Sequence, residues 1–156
     1  MKKGSIYGLI IAIVVIGILL LLMFATNLRY GLNIFNNKYY GNDLIKVSFP
    51  LENSKIESPL TVKGEARGNW YFEASFPVIV VNWDGLIIAE EYAQAKDNWM
   101  TTDFVPFEGT IEFENPVFPG ADENHFSRRG AVILQKDNPS GLPEYDDAIE
   151  IPVWFK

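Results

Sequence analysis

The chain has 156 residues, no cysteine and a formal charge of −7. Without cysteine there is no disulfide, no thiolate nucleophile and no cysteine-held metal, and the redox compartment is left open. The acidity is concentrated from Ile45 onward, where 9 Lys and Arg stand against 19 Asp and Glu for a net of −10; an acidic domain with no basic stripe is poorly suited to nucleic acid or to anionic lipid.

The first five residues, 1–5, form a short head carrying Lys2 and Lys3. From Ile6 to Ala25 the chain reads IYGLIIAIVVIGILLLLMFA without a charge, about the 20 residues a helix needs to cross the hydrocarbon core. The run is long for a cleaved signal and Met23-Phe24-Ala25 is a weak cleavage match. It therefore reads as an uncleaved, single-pass signal-anchor with the N-terminus inside. No cysteine follows it to take a lipid, and Gly8 and Gly17 lack the small-xxx-small spacing of a helix dimer. Residues 26–44 (Thr26 to Leu44) are rich in Asn and Gly and read as a linker, with Tyr30, Phe35, Tyr39 and Tyr40 placed either as an interfacial aromatic belt or as incidental aromatics in a tether.

Residues 45–156 carry the folded domain. Ile45, Val47, Phe49 and Leu51 alternate with polar residues, as do Leu60, Val62, Gly64 and Ala66. The same period of two recurs through Val105, Phe107, Ile111 and Phe113, and again through Ile149, Ile151, Val153 and Phe155. Such alternation turns one face to a core and one to water. Phe76 to Trp83, Leu86 to Glu91 and Ala131 to Lys136 read as more central strands, and Asp84-Gly85 as the hairpin turn behind the first of them. About seven strands in this length predict an all-β, immunoglobulin-like antiparallel sandwich. Pro152 lies within the last strand, which is expected to be an edge or to carry a bulge. Glu90 to Asn98 is the one helix-tolerant stretch and suits a short helical turn.

Three blocks, Ser58 to Val78, Asn98 to Phe113 and Leu134 to Phe155, resemble the immunoglobulin-like domain of bacterial spore germination. The block DNPSGLPEYDD with its following IPV strand is the most specific of the three, and Pro116 to Arg129 is an insert with no counterpart in the resemblance. The resemblance covers roughly Ile45 to Lys156. It implies an immunoglobulin-like fold outside the cytoplasm and brings no catalytic residue with it.

The Asp137 to Asp147 loop reads as a corner whose Asp and Asn side chains satisfy turn amides, with a calcium loop as the alternative. Trp70, Tyr71 and Phe72 are either an exposed aromatic platform or a plug between sheets; strict alternation would put Trp70 and Phe72 on one face. Trp154 alternates outward from Val153 and Phe155 and is the leading candidate for an exposed contact. Trp154, Trp70 and Tyr71 are thus the candidate interaction residues, with no metal or cofactor site. His125 is the only histidine and sits in a polar loop, without the partners of a serine triad or metal centre. These readings combine into a non-enzymatic domain on the outer side of a cell membrane, contacting an envelope protein or cell-wall component, with a carbohydrate- or calcium-binding module as the alternative.

Overall fold

The computed structural model describes residues 15–19, 21–23 and 39–156. Residues 15–19 and 21–23 are helical. Among the described residues no helix is long and apolar enough to cross a membrane. The head, most of the expected membrane segment 6–25 and the linker as far as Lys38 lie outside the described residues.

Tyr39–Lys156 form one compact unit of nine strands: β1 (Tyr40–Gly41), β2 (Ile45–Phe49), β3 (Ser54–Ile56), β4 (Leu60–Arg67), β5 (Ser75–Asn82), β6 (Ile87–Ala95), β7 (Phe104–Ile111), β8 (Arg129–Gln135) and β9 (Ala148–Phe155). All seven expected strands are present. The two additions are short: β1 lies in the stretch read as linker and pairs with β2, and β3 pairs with β9 in parallel. The domain is therefore not wholly antiparallel.

The strand order is β1-β2-β4-β7-β6-β5-β8-β9-β3 in one continuous sheet, where two separate sheets were expected. The reason is β6. It pairs with β5 from Ile87 to Gln94, then with β7 at Gln94 and Ala95, so one strand joins both halves and the sheet curls into a half-barrel. The strand runs through Glu90 to Ala95, where a helical turn was expected. Residues with helical tolerance yield here to pairing, because the ladder on β5 supplies a run of cross-strand hydrogen bonds where a lone helical turn would leave most of its backbone groups open.

The two halves close on a shared core. Phe76 is its centre, 4.9 Å from Phe107 in an edge-to-face pair, 6.5 Å from Trp70 and 5.3 Å from Tyr71 between ring centroids. Trp70 and Tyr71 are both buried, at 0% and 4% exposure, which corrects their candidacy as surface contacts. The physical cause is local. Gly68–Trp70 is a single 3-10 turn rather than a strand, so consecutive residues point into the core and only Phe72 emerges. A side chain at Gly68 would run into the carbonyls of Trp99 and Thr101; this close approach is what lets the turn sink. The Tyr71 hydroxyl donates to the Val105 carbonyl at 2.7 Å, and burial pushes its phenol pKa up. Glu73 and Ala74 then reverse the chain with positive φ at both positions, a primed hairpin turn made without glycine.

Removing the ring at the centre leaves a cavity that its three aromatic neighbours cannot fill. Phe76→Ala is expected to lower stability by about 3–5 kcal/mol, read as a thermal or urea midpoint; a loss below about 1 kcal/mol would contradict a rigid aromatic core.

On the surface of the other half, Glu108 accepts from Lys63 at 3.1 Å and has Lys96 at 3.8 Å. The Lys63 hydrogen bond, with the charges of Lys63 and Lys96, holds the Glu108 carboxyl below its ordinary range. A carboxyl with a depressed folded pKa binds its proton less readily folded than unfolded, so its stabilising effect is present above the unfolded pKa and lost as pH falls through and below about 4. Glu108→Gln is expected to lower the neutral plateau of the melting-temperature profile slightly and to leave its acid end where it is, so that the acid limb becomes shallower; an unchanged acid limb would contradict the pairing.

Candidate functional site

Strand β9 carries the leading candidate. Ile151, Val153 and Phe155 are buried, so the alternating positions Glu150, Pro152 and Trp154 face outward. Pro152 is tolerated because β3 covers only the last three residues of the strand. Its carbonyl accepts from Asn53 at 2.7 Å, and its nitrogen, on the same side, is asked for no ladder donor. The strand is thus an edge for most of its length and is covered only at its end.

The register across β3, β9, β8, β5 and β6 builds three rows on this outer face. Lys55, Trp154 and Arg129 are direct cross-strand neighbours. Pro152, Ala131, Val81 and Ile87 form the second row, and Glu150, Ile133, Ile79 and Glu90 the third. One end of the face is cationic around an indole, the middle is apolar, and the far end carries a carboxylate at each side. The Arg129 guanidinium lies 5.5 Å from the Trp154 ring centre, within range of a cation–π contact. Trp154 is half-buried between its two cationic neighbours.

Two hollows flank the Trp154 row. One cleft of about 290 Å³ is lined by Lys55, Glu123, Arg128, Trp154, Phe155 and Lys156. The other, also about 290 Å³, lies over Val81, Trp83, Arg129, Ala131 and Glu150.

The insert from Pro116 to Arg129 walls the first cleft. Arg128 clamps it: Nε donates to the Asp122 carbonyl at 2.7 Å, one terminal nitrogen to Ala121 at 3.1 Å, and the other to Phe155 at 3.2 Å. Buried Ser127 accepts from the Phe118 amide at 3.1 Å. His125 caps the following 3-10 turn by accepting from the Ser127 amide at 3.2 Å. It also packs on Phe126 at 4.3 Å, so its role here is structural. Trp83 joins Phe126 at 4.8 Å and Phe118 at 6.3 Å, an aromatic cluster that fixes the insert on the β5–β6 turn. Neither the cluster nor Arg129 was singled out by sequence, because their positions are spread over distant segments and only the fold brings them together.

The Asp137 to Asp147 loop is a self-satisfied corner. The Asn138 amide donates to the Leu142 carbonyl at 2.9 Å and to Asp146 at 2.7 Å, while its oxygen accepts from the Ser140 amide at 3.2 Å. Lys136 holds the Tyr145 carbonyl at 2.9 Å. Desolvation raises the Asp137 carboxyl above its ordinary pKa. Among the described residues no three His, Cys, Asp or Glu side chains are grouped to hold a metal ion.

A half formed by β2, β4 and β7 facing a half formed by β5, β8 and β9, with β3 laid parallel against the last strand, is the arrangement of an immunoglobulin-type domain. The immunoglobulin-like domain of bacterial spore germination matches residues 44–123, half of the chain, and the chain belongs to that family. The match includes two of the three resembling blocks and runs into the insert as far as Glu123; it stops before Leu134 to Phe155, the block read as most specific. No curated protein and no solved structure matches the chain.

Arg128→Ala is expected to free the insert from β9: protease cleavage between Pro116 and Arg129 should rise at least about tenfold, with the melting temperature falling by only a few degrees. Cleavage at the wild-type rate would show that the aromatic cluster alone holds the segment.

Proposed function

We propose that this chain is a single-pass membrane protein, anchored through residues 6–25, that presents its immunoglobulin-like domain on the outer side of the cell membrane as a non-enzymatic interaction module. The uninterrupted apolar run supports the anchor and the acidic domain disfavours nucleic acid. Family membership supports a binding or structural role in envelope processes of the germination type. The observation that carries the reading is the row of Lys55, Trp154 and Arg129, an indole held half-open between two cations. Aromatic and arginine side chains dominate the binding energy of protein interfaces. The partner is an envelope protein or a cell-wall component.

A second reading, a saccharide site, is favoured by one feature: the cleft beside Trp154 combines an aromatic ring with the Lys55 amine and the Glu123 carboxylate.

Crosslinking of the tagged full-length chain in cells tests the reading. A dominant captured envelope protein should be lost about tenfold or more on Trp154→Ala. Capture unaltered by that substitution would remove this face from the function. Recovery of glycan fragments alone would favour the saccharide site.

A further inference from the structure

The outer face of β9, β8, β5 and β6 is self-complementary, and we propose that its partner is a second copy of this chain, packed face to face about a two-fold axis lying along the Pro152–Ala131–Val81 row. This names the partner in the reading above and rests on it.

The geometry follows from the register. Rows two residues apart lie about 6.6–6.8 Å apart along a strand. An axis across the strands at the middle row turns the first row of one copy onto the third row of the other. Trp154 then lies over the partner position of Glu150. The Arg129 guanidinium leans over the Trp154 ring, so it arrives above that same carboxylate, and the symmetry makes the pair twice. An isologous contact needs one patch carrying both halves of each interaction, and this face has them: cations at one end and carboxylates at the other, both exposed.

The centre supplies the apolar part. Ala131 and Val81, 4% and 9% exposed, floor a hollow outside the core cluster centred on Phe76, and the apolar surface on offer comes from the ends of the row, Ile87 at 54% exposure and Pro152 at the surface. Neither Arg129 nor Glu150 has an ion-pair partner within the domain among the described residues. The face is small for a stable complex in dilute solution. Copies held on one membrane meet at high effective concentration, and there a modest face suffices.

The chain contains no cysteine, so a single introduced thiol reports its own neighbours. In the full-length protein in membranes, Pro152→Cys lies on the axis and should link to itself through a short bismaleimide. Thr110→Cys, exposed on β7 of the opposite half, serves as the control. Adding Arg129→Glu to Pro152→Cys should lower the linked fraction about tenfold by setting like charges opposite one another, and adding Glu150→Arg as well should restore it. Self-linking no greater than that of Thr110→Cys, or a charge reversal that is not restored by its complement, would overturn the two-fold contact. If self-linking fails while Trp154→Ala still abolishes capture of another envelope protein, the second copy is excluded and the interaction module stands. If both fail, the reading of this face fails with it.

Discussion

The ladder joining β5, β8 and β9 is the constraint on which the rest depends. Side chains alternate along the regular ladder of β5, β8 and β9, so placing Phe76, Val78 and Val80 inward decides the orientation of the residues paired to them there. Val132 and Leu134 follow inward on β8, and Ile151 and Val153 on β9. Arg129, Trp154 and Glu150 are thereby forced outward in fixed rows. The core and the candidate site are two faces of one register, and a slip of one residue would exchange them.

The curl of the sheet supplies the second half of the core. Because β6 changes partner near Gln94, the β4–β7 pair is carried over the β5–β8–β9 face, and Phe107 meets Phe76. Gly109 marks the crossing: a side chain there would touch Ala93 and the Tyr92 carbonyl. The same close-packing logic governs Gly64, where a Cβ would strike the Lys46 carbonyl and the Phe107 ring. Family membership and the nine-strand architecture together place the chain among immunoglobulin-like domains; the segment read as an insert lies partly within the family match, which runs to Glu123, and Arg128 ties it to the end of β9.

Much of this was legible beforehand. Period-two alternation located four of the seven principal strands and continuous apolar runs the other three, and the outward position of Trp154 was readable from Val153 and Phe155. The misreadings have physical sources. Strict alternation would put Trp70 and Phe72 on one face and Tyr71 on the other, but a 3-10 turn breaks the alternation, buries Trp70 and Tyr71 together as a plug and leaves Phe72 exposed. The turn at Glu73 and Ala74 lacks the glycine or asparagine that signals a primed hairpin. Short strands such as β3 carry too few residues to show a period, and they exist because a neighbouring edge accepts them. Glu90 to Ala95 has no strong local preference, so its state was set by pairing with β5. The cation beside Trp154 could not be found by inspection, since Arg129 and Trp154 are neighbours only through the β8–β9 register.

The central proposal is that this outer face is covered when copies of the chain are held together on a membrane. Its most direct test is carbene footprinting of the full-length chain in native membranes and again after extraction and dilution. The account predicts that Trp154 and Pro152 are labelled weakly in membranes and strongly after dilution, while Tyr145, exposed at the Asp137 to Asp147 corner, is labelled equally in both. Equal labelling of Trp154 in the two states would mean that the face stands open, and would contradict the account.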